Sequence, residues 1–131
     1  DRVNLAKLNK PISKLALKRW FTDNYLENNK DTYNKFIKIL TKKPNDQKNF
    51  IKAYELFANY KDDINIIKKI NTRTLVMTGS HDPGSTPEMS KNLSNDLTNS
   101  LYCEINNGKH LCSIECADDV NIKIKEFLEN V

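Results

Sequence analysis

Two side chains in the second half of this 131-residue chain are placed for proton-transfer chemistry. Asp82 lies three residues after Gly79, the glycine that stops an apolar run at 74–78. His110 lies five residues after the end of a second such run, at 101–105. If both runs are strands, adjacent and parallel, the loops at their carboxyl ends meet, and ligands of open parallel sheets bind there. The Asp82 carboxylate then accepts a hydrogen bond from imidazole Nδ1–H, holds the tautomer, and stabilises the imidazolium formed when Nε2 takes a proton. Each residue has a plainer reading. Asp-Pro-Gly at 82–84 is common turn chemistry, and a lone histidine is often a satisfied surface or half-buried group. Their matched placement at two strand ends favours an acid–base pair.

Other chemistry is poorly supported. Cys103, Cys112 and Cys116 surround His110, but their spacing contains no Cys-x-x-Cys pair of the kind that tetrahedral zinc sites build on. No metal and no cofactor are expected, and the cysteines read as three small buried hydrophobes. Their odd number, with no apolar signal at the amino terminus, points to reduced thiols in a cytoplasm. Neither Cys112 nor Ser113 has the strand-to-helix turn that exposes a nucleophile. The three glycines, Gly79, Gly84 and Gly108, cannot form a phosphate-binding loop, and no two are four residues apart. The net charge of +4 comes mainly from lysines interleaved with Asn and acids, a solvated surface rather than a nucleic-acid groove. No run approaches the ~18 apolar residues that span a bilayer. With 38% apolar and 29% charged residues, the chain is expected to form one domain with a core. It begins at Asp rather than Met, so it is expected to have been cut from something longer.

The elements that must position the pair fall into two unlike halves. Residues 12–69 contain no glycine and repeat apolar residues at helical spacing. Ile12, Leu15 and Ala16 lead into Trp20. Tyr33, Phe36, Ile37 and Leu40 mark a second helix, closed by Lys42, Lys43 and Pro44. Asp46 is expected to cap a third helix carrying Phe50, Tyr54 and Phe57, and a short fourth fits 63–69. After Asn71 the period changes. The run 74–78 reads as a strand buried on both faces, followed by a loop at 80–85. Thr86 then sits at an N-cap and Pro87 at the first helical position. That helix runs to about Leu97, with Met89 and Leu93 on one face. Asn106, Asn107 and Gly108 supply turn chemistry after the second strand. A last helix places Val120, Ile124, Phe127 and Leu128 on one stripe. The class is α/β, with a β-α-β-α unit of parallel strands. Two strands are too few, because a buried parallel strand needs neighbours on both sides.

The residues also resemble a known family. Stretch 74–89, TLVMTGSHDPGSTPEM, is similar to the strand, acid loop and helix start near the end of α/β-hydrolases. Stretch 106–115, NNGKHLCSIE, resembles their histidine loop, often Gly-x-Gly-His-Leu-Ser-Asn-x-Glu, with Asn106 in place of the first glycine. Arg19, Trp20, Phe21 and Thr22 are similar to a lid-helix stretch of 3-oxoadipate enol-lactonases and their relatives. The resemblance covers about 14–130 and implies a carboxyl-terminal portion of such a hydrolase. Residues 1–70 would be the helical lid, and 71–131 the last two βα units of the core. It implies Asp82 and His110 as triad acid and base, in the family's chain order. Arg19 and Trp20 would line the pocket, Arg19 pairing with a substrate carboxylate, and Leu111 would pack beside the site. The family's nucleophile sits in a Gly-x-Ser-x-Gly elbow. That elbow is absent from this chain, so alone it should not catalyse. The implied substrate is a small ester or lactone. A relative with an Asp nucleophile, such as a dehalogenase or epoxide hydrolase, stays open, as does a non-catalytic helical adaptor. A strand built for burial also implies self-association, or pairing with a missing amino-terminal half.

Overall fold

The computed structural model describes residues 13–41 and 47–130. Expectations placed on Ile12, Lys42, Lys43, Pro44, Asp46 and the side chain of Phe50 lie outside the described residues. Among the described residues five helices come first: α1 (Ser13–Trp20), α2 (Asp23–Asn28), α3 (Lys30–Thr41), α4 (Gln47–Asn59) and α5 (Ile64–Ile67). Then follow β1 (Thr74–Gly79), α6 (Pro87–Asp96), β2 (Ser100–Ile105), α7 (Cys112–Glu115) and α8 (Ala117–Glu129).

Helix α2 was not expected from apolar spacing. It exists because Thr22 is extended (φ −69°, ψ 155°) and its hydroxyl accepts the N–H of Tyr25, while Asp23 adds an acid to the first turn. The core of the helical half is Leu17, Phe21 and Leu26, with Tyr33, Phe36, Ile37 and Leu40 of α3 packed on it. Phe21 stacks on Tyr25 at 5.2 Å between ring centroids and meets Phe36 edge-on at 5.3 Å. These are the preferred aromatic geometries. Helix α4 is different: Leu56 and Phe57 are 72% and 74% exposed. Helix α5 is shorter than the expected 63–69. Asp63 caps it by accepting the N–H of Asn65, and one helical turn follows.

Strands β1 and β2 pair in parallel, from Thr74 opposite Ser100 to Gly79 opposite Ile105. Helix α6 packs on both strands and α8 on β2. Thr86 caps α6 by accepting the N–H of Met89, with Pro87 at its start, as the sequence predicts. The expected burial of β1 on both faces is met only at alternate positions. Val76 and Thr78 are buried, whereas Leu75 and Met77 are half-buried, since two strands cover little area. Met89 and Leu93 are exposed for the same reason, and Val120 alone of the final stripe is fully buried. Phe127 is covered by the Arg73 guanidinium, 3.9 Å above its ring, while Ile124 and Leu128 stay open. The cysteines, expected to be buried, are half-buried.

Candidate active site

The acid is built by the loop that leaves β1. Its main chain turns at once, the N–H of Asp82 reaching the carbonyl of Gly79 at 3.0 Å. Asp82 Oδ1 then accepts the N–H groups of Gly84 (2.7 Å) and Ser85 (3.1 Å). The Thr78 hydroxyl donates to the Ser85 carbonyl at 2.8 Å and closes the loop on its own strand. The Asp-Pro-Gly turn chemistry is therefore real, and it serves to fix a carboxylate. Asp82 is only 6% exposed, so its remaining oxygen needs a donor. That donor is His110, whose Nδ1 lies 2.8 Å from Oδ2. A carboxylate only accepts, so the proton sits on Nδ1 and leaves Nε2 as an acceptor when the ring is neutral. The His110 side chain is 45% exposed, and Nε2 has no protein partner among the described residues.

The two loops meet by close main-chain approach. The N–H of Ser80 donates to the Ile105 carbonyl, one residue beyond the strand, and that of His81 to the Gly108 carbonyl, both at 2.9 Å. Asn107, at a left-handed φ of 60°, donates its N–H to the Ser80 hydroxyl at 2.9 Å. Asn tolerates that conformation better than most residues. A Cβ on Gly79 would lie 2.5 Å from the Lys109 carbonyl oxygen and closer still to the Gly108 backbone. Glycine is required where the strand end passes under the histidine loop.

The other sequence-predicted residues are placed as follows. Arg19, at the end of α1, lies over the acid loop: a Cβ on Gly84 would come within 2.6 Å of its guanidinium nitrogen. Trp20 contributes its ring to the helical core, edge-on to Phe36 at 6.0 Å, and its carbonyl accepts the N–H of Leu111 at 2.9 Å. Leu111 packs against the Leu17–Phe21–Leu26 cluster directly after His110. The structure thus brings Arg19, Trp20 and Leu111 to the side of the pair formed by the helical half.

Glu115 had no assigned role in the sequence, although it closes the histidine stretch. Its Oε1 accepts the N–H of Thr22 at 2.8 Å and also the Thr22 hydroxyl. Its Oε2 accepts the N–H of Lys109 at 3.1 Å. The cysteines do not add reactivity. Burial pushes the Cys112 thiol up, and the charge of Asp82 adds to the effect. Burial raises Cys103 and Cys116 likewise, the reverse of an activated thiol. Among the described residues no three His, Cys, Asp or Glu side chains converge as a metal site, and no helix is long and apolar enough to cross a membrane. A groove on the helical half, lined by Leu17, Lys18, Asp23, Leu26, Lys30 and Tyr33, includes neither Asp82 nor His110.

Comparison with solved structures decides the fold. An enol-lactonase from Burkholderia xenovorans LB400 superposes with a TM-score of 0.85 at 23% identity, over 98% of this chain and 48% of that one. Its fold is that of the α/β-hydrolases, in their carboxyl-terminal part. The malate-bound structure of a thermophilic esterase from Thermogutta terrifontis agrees, with a TM-score of 0.80 at 21% identity over the same shares. This chain therefore spans about half the length of the solved structures it matches. No protein-family model and no curated protein matches it.

Proposed function

We propose that this chain supplies the acid and the base of a hydrolase acting on a carboxylic ester or lactone. The observation that carries the reading is the 2.8 Å contact between Asp82 Oδ2 and His110 Nδ1 at the carboxyl ends of adjacent parallel strands. The kinship in fold to an enol-lactonase and an esterase supports the reaction class. A helical adaptor without catalysis would have left the two residues apart and separately satisfied. In the proposed reaction His110 Nε2 takes the proton of a serine hydroxyl contributed by sequence outside this chain. The serine oxygen attacks the ester or lactone carbonyl, and the imidazolium returns the proton to the leaving oxygen. Water then repeats the cycle and releases the acid. Buried Asp82 holds the Nδ1–H tautomer and stabilises the imidazolium throughout. No metal or cofactor takes part.

The helices of 1–70 form the lid in this reading, and 71–131 the last two βα units. Arg19, over the acid loop, receives a carboxylate of the substrate, while Trp20 and Leu111 close the wall beside His110. Exposed Leu101 and the half-buried face of β1 support pairing of this chain with the half that bears the nucleophile. Without it, two copies of the chain associate through the same surfaces. The odd number of cysteines supports a cytoplasmic location in this reading. Two assays test the proposal. The chain alone should hydrolyse activated esters no faster than a His110→Ala variant. Assembled with a half carrying a Gly-x-Ser-x-Gly strand turn, it should gain turnover that His110→Ala abolishes. Turnover by the chain alone that survives His110→Ala would overturn the assignment.

A further inference from the structure

We propose that Glu115 is a positioning residue: by accepting from Thr22 and from the Lys109 backbone at once, its carboxylate ties the loop that carries His110 to the helical half. The inference rests on the reading of Asp82 and His110 as an acid–base pair, and it adds what holds the base in register with the acid. Asp82 is held from the sheet side, by Gly84 and Ser85 in the loop that leaves β1. The loop of His110 is held from both sides: the Gly108 carbonyl accepts the N–H of His81 in the acid loop, and further ties run to the helices. The two chain neighbours of His110 both donate their N–H groups toward the junction of α1 and α2. Leu111 reaches the Trp20 carbonyl directly at 2.9 Å. Lys109 reaches Thr22 through the two oxygens of Glu115. A third tie joins the Lys109 ammonium to the Lys18 carbonyl at 2.8 Å.

The base therefore has a second set of ties that the acid lacks, and Glu115 is the charged acceptor shared between the loop carrying the base and the helices. Hydrogen bonds to an ionised acceptor are the stronger kind. The Thr22 hydroxyl has a double task, since it also accepts the Tyr25 N–H that starts α2. A displaced α1–α2 junction would shift Lys109 and Leu111, and with them the His110 ring, while Asp82 stayed on β1. The state of the helices is thereby reported to the imidazole.

The test is the exchange with water of the His110 Nδ1 proton, followed by proton NMR beside far-UV circular dichroism. In Glu115→Gln the carboxamide has one accepting oxygen, so either Thr22 or Lys109 loses its partner in both orientations of the amide. Exchange should then accelerate about tenfold while helix content is kept, the factor that a loss of ~1.4 kcal/mol produces. Thr22→Val removes the hydroxyl donor and, with it, the cap on the Tyr25 N–H; with helix content kept it should give a smaller acceleration, and Thr22→Ser should restore the unaltered rate. A folded Glu115→Gln variant with unaltered exchange would overturn the proposal, because Glu115 would then serve only to anchor α7. If Glu115→Gln does not fold, Thr22→Val decides, provided circular dichroism shows that α2 survives loss of its cap: faster exchange at kept helix content supports the tie and unaltered exchange refutes it. Absence of a bound Nδ1 proton in the unaltered protein would instead break the Asp82–His110 reading itself, and this inference with it.

Discussion

The crossing of the acid and histidine loops and the exposed helix α4 are opposite ends of one molecule's packing. At the crossing, both Asp82 oxygens and the N–H groups of Ser80, His81 and Asn107 have partners, and Gly79 lets two backbones touch. On α4, Leu56 and Phe57 face open solvent. Polar networks at strand ends close over short distances with the residues at hand, so the Asp82–His110 pair is held without more sheet. Apolar faces are finished only by neighbours, and among the described residues a two-stranded sheet supplies few. The geometry of the pair and the covering of the fold are therefore separable, and substitutions should separate them.

The largest effect is expected at the pair. In the proposed assembly with a nucleophile-bearing half, Asp82→Asn should lower kcat about 10³–10⁴-fold, because an amide no longer enforces the Nδ1–H tautomer. A fall below tenfold would show that the buried carboxylate does not govern His110. Gly79→Ala comes next. Its Cβ would press on the Gly108 and Lys109 backbone, where no flexible side chain can yield. A loss of roughly 3 kcal/mol in urea unfolding is expected, as for severe overpacking. An unchanged midpoint would mean that the two loops are not in contact.

Cys112 gives a smaller and pH-dependent contrast. Burial raises its thiol, so the folded protein holds less thiolate than the unfolded chain at about pH 8. Alkylation of Cys112 should be slower in the folded protein than in urea, and the gap should narrow as the pH rises past the raised value. Equal rates at every pH would place Cys112 in open solvent. Helix α4 should be the least sensitive. Phe57→Ser should change the stability of this chain by less than about 0.5 kcal/mol, the usual range for exposed positions. A loss several times larger would show that α4 is already covered.

Legibility in the sequence followed the same division. Thr86 and Pro87 announced α6, and apolar runs with glycine and asparagine punctuation announced both strands, since caps and turns act over a few residues. Asp82 and His110 were readable because parallel pairing brings equivalent strand ends together. Helix α2 was not, because one Thr22 cap divides a stretch whose composition is helical throughout. Helix α7 is a single turn set apart from α8 by Cys116 (φ −123°), a break that apolar spacing does not show. Glu115 was missed for a different reason: its partner Thr22 is 93 residues away, and no local pattern encodes such a pair. The degree of burial of β1, α4 and the cysteines also depends on neighbours rather than on the residues themselves.

The central claim is that Asp82 fixes the tautomer of His110, and nitrogen NMR of the imidazole tests it most directly. In the neutral ring the proton should reside on Nδ1, with Nε2 free, and Asp82→Ala should release the ring to the mixture of an unrestrained histidine. A proton on Nε2 in the unaltered protein, or a tautomer indifferent to Asp82→Ala, would contradict the account.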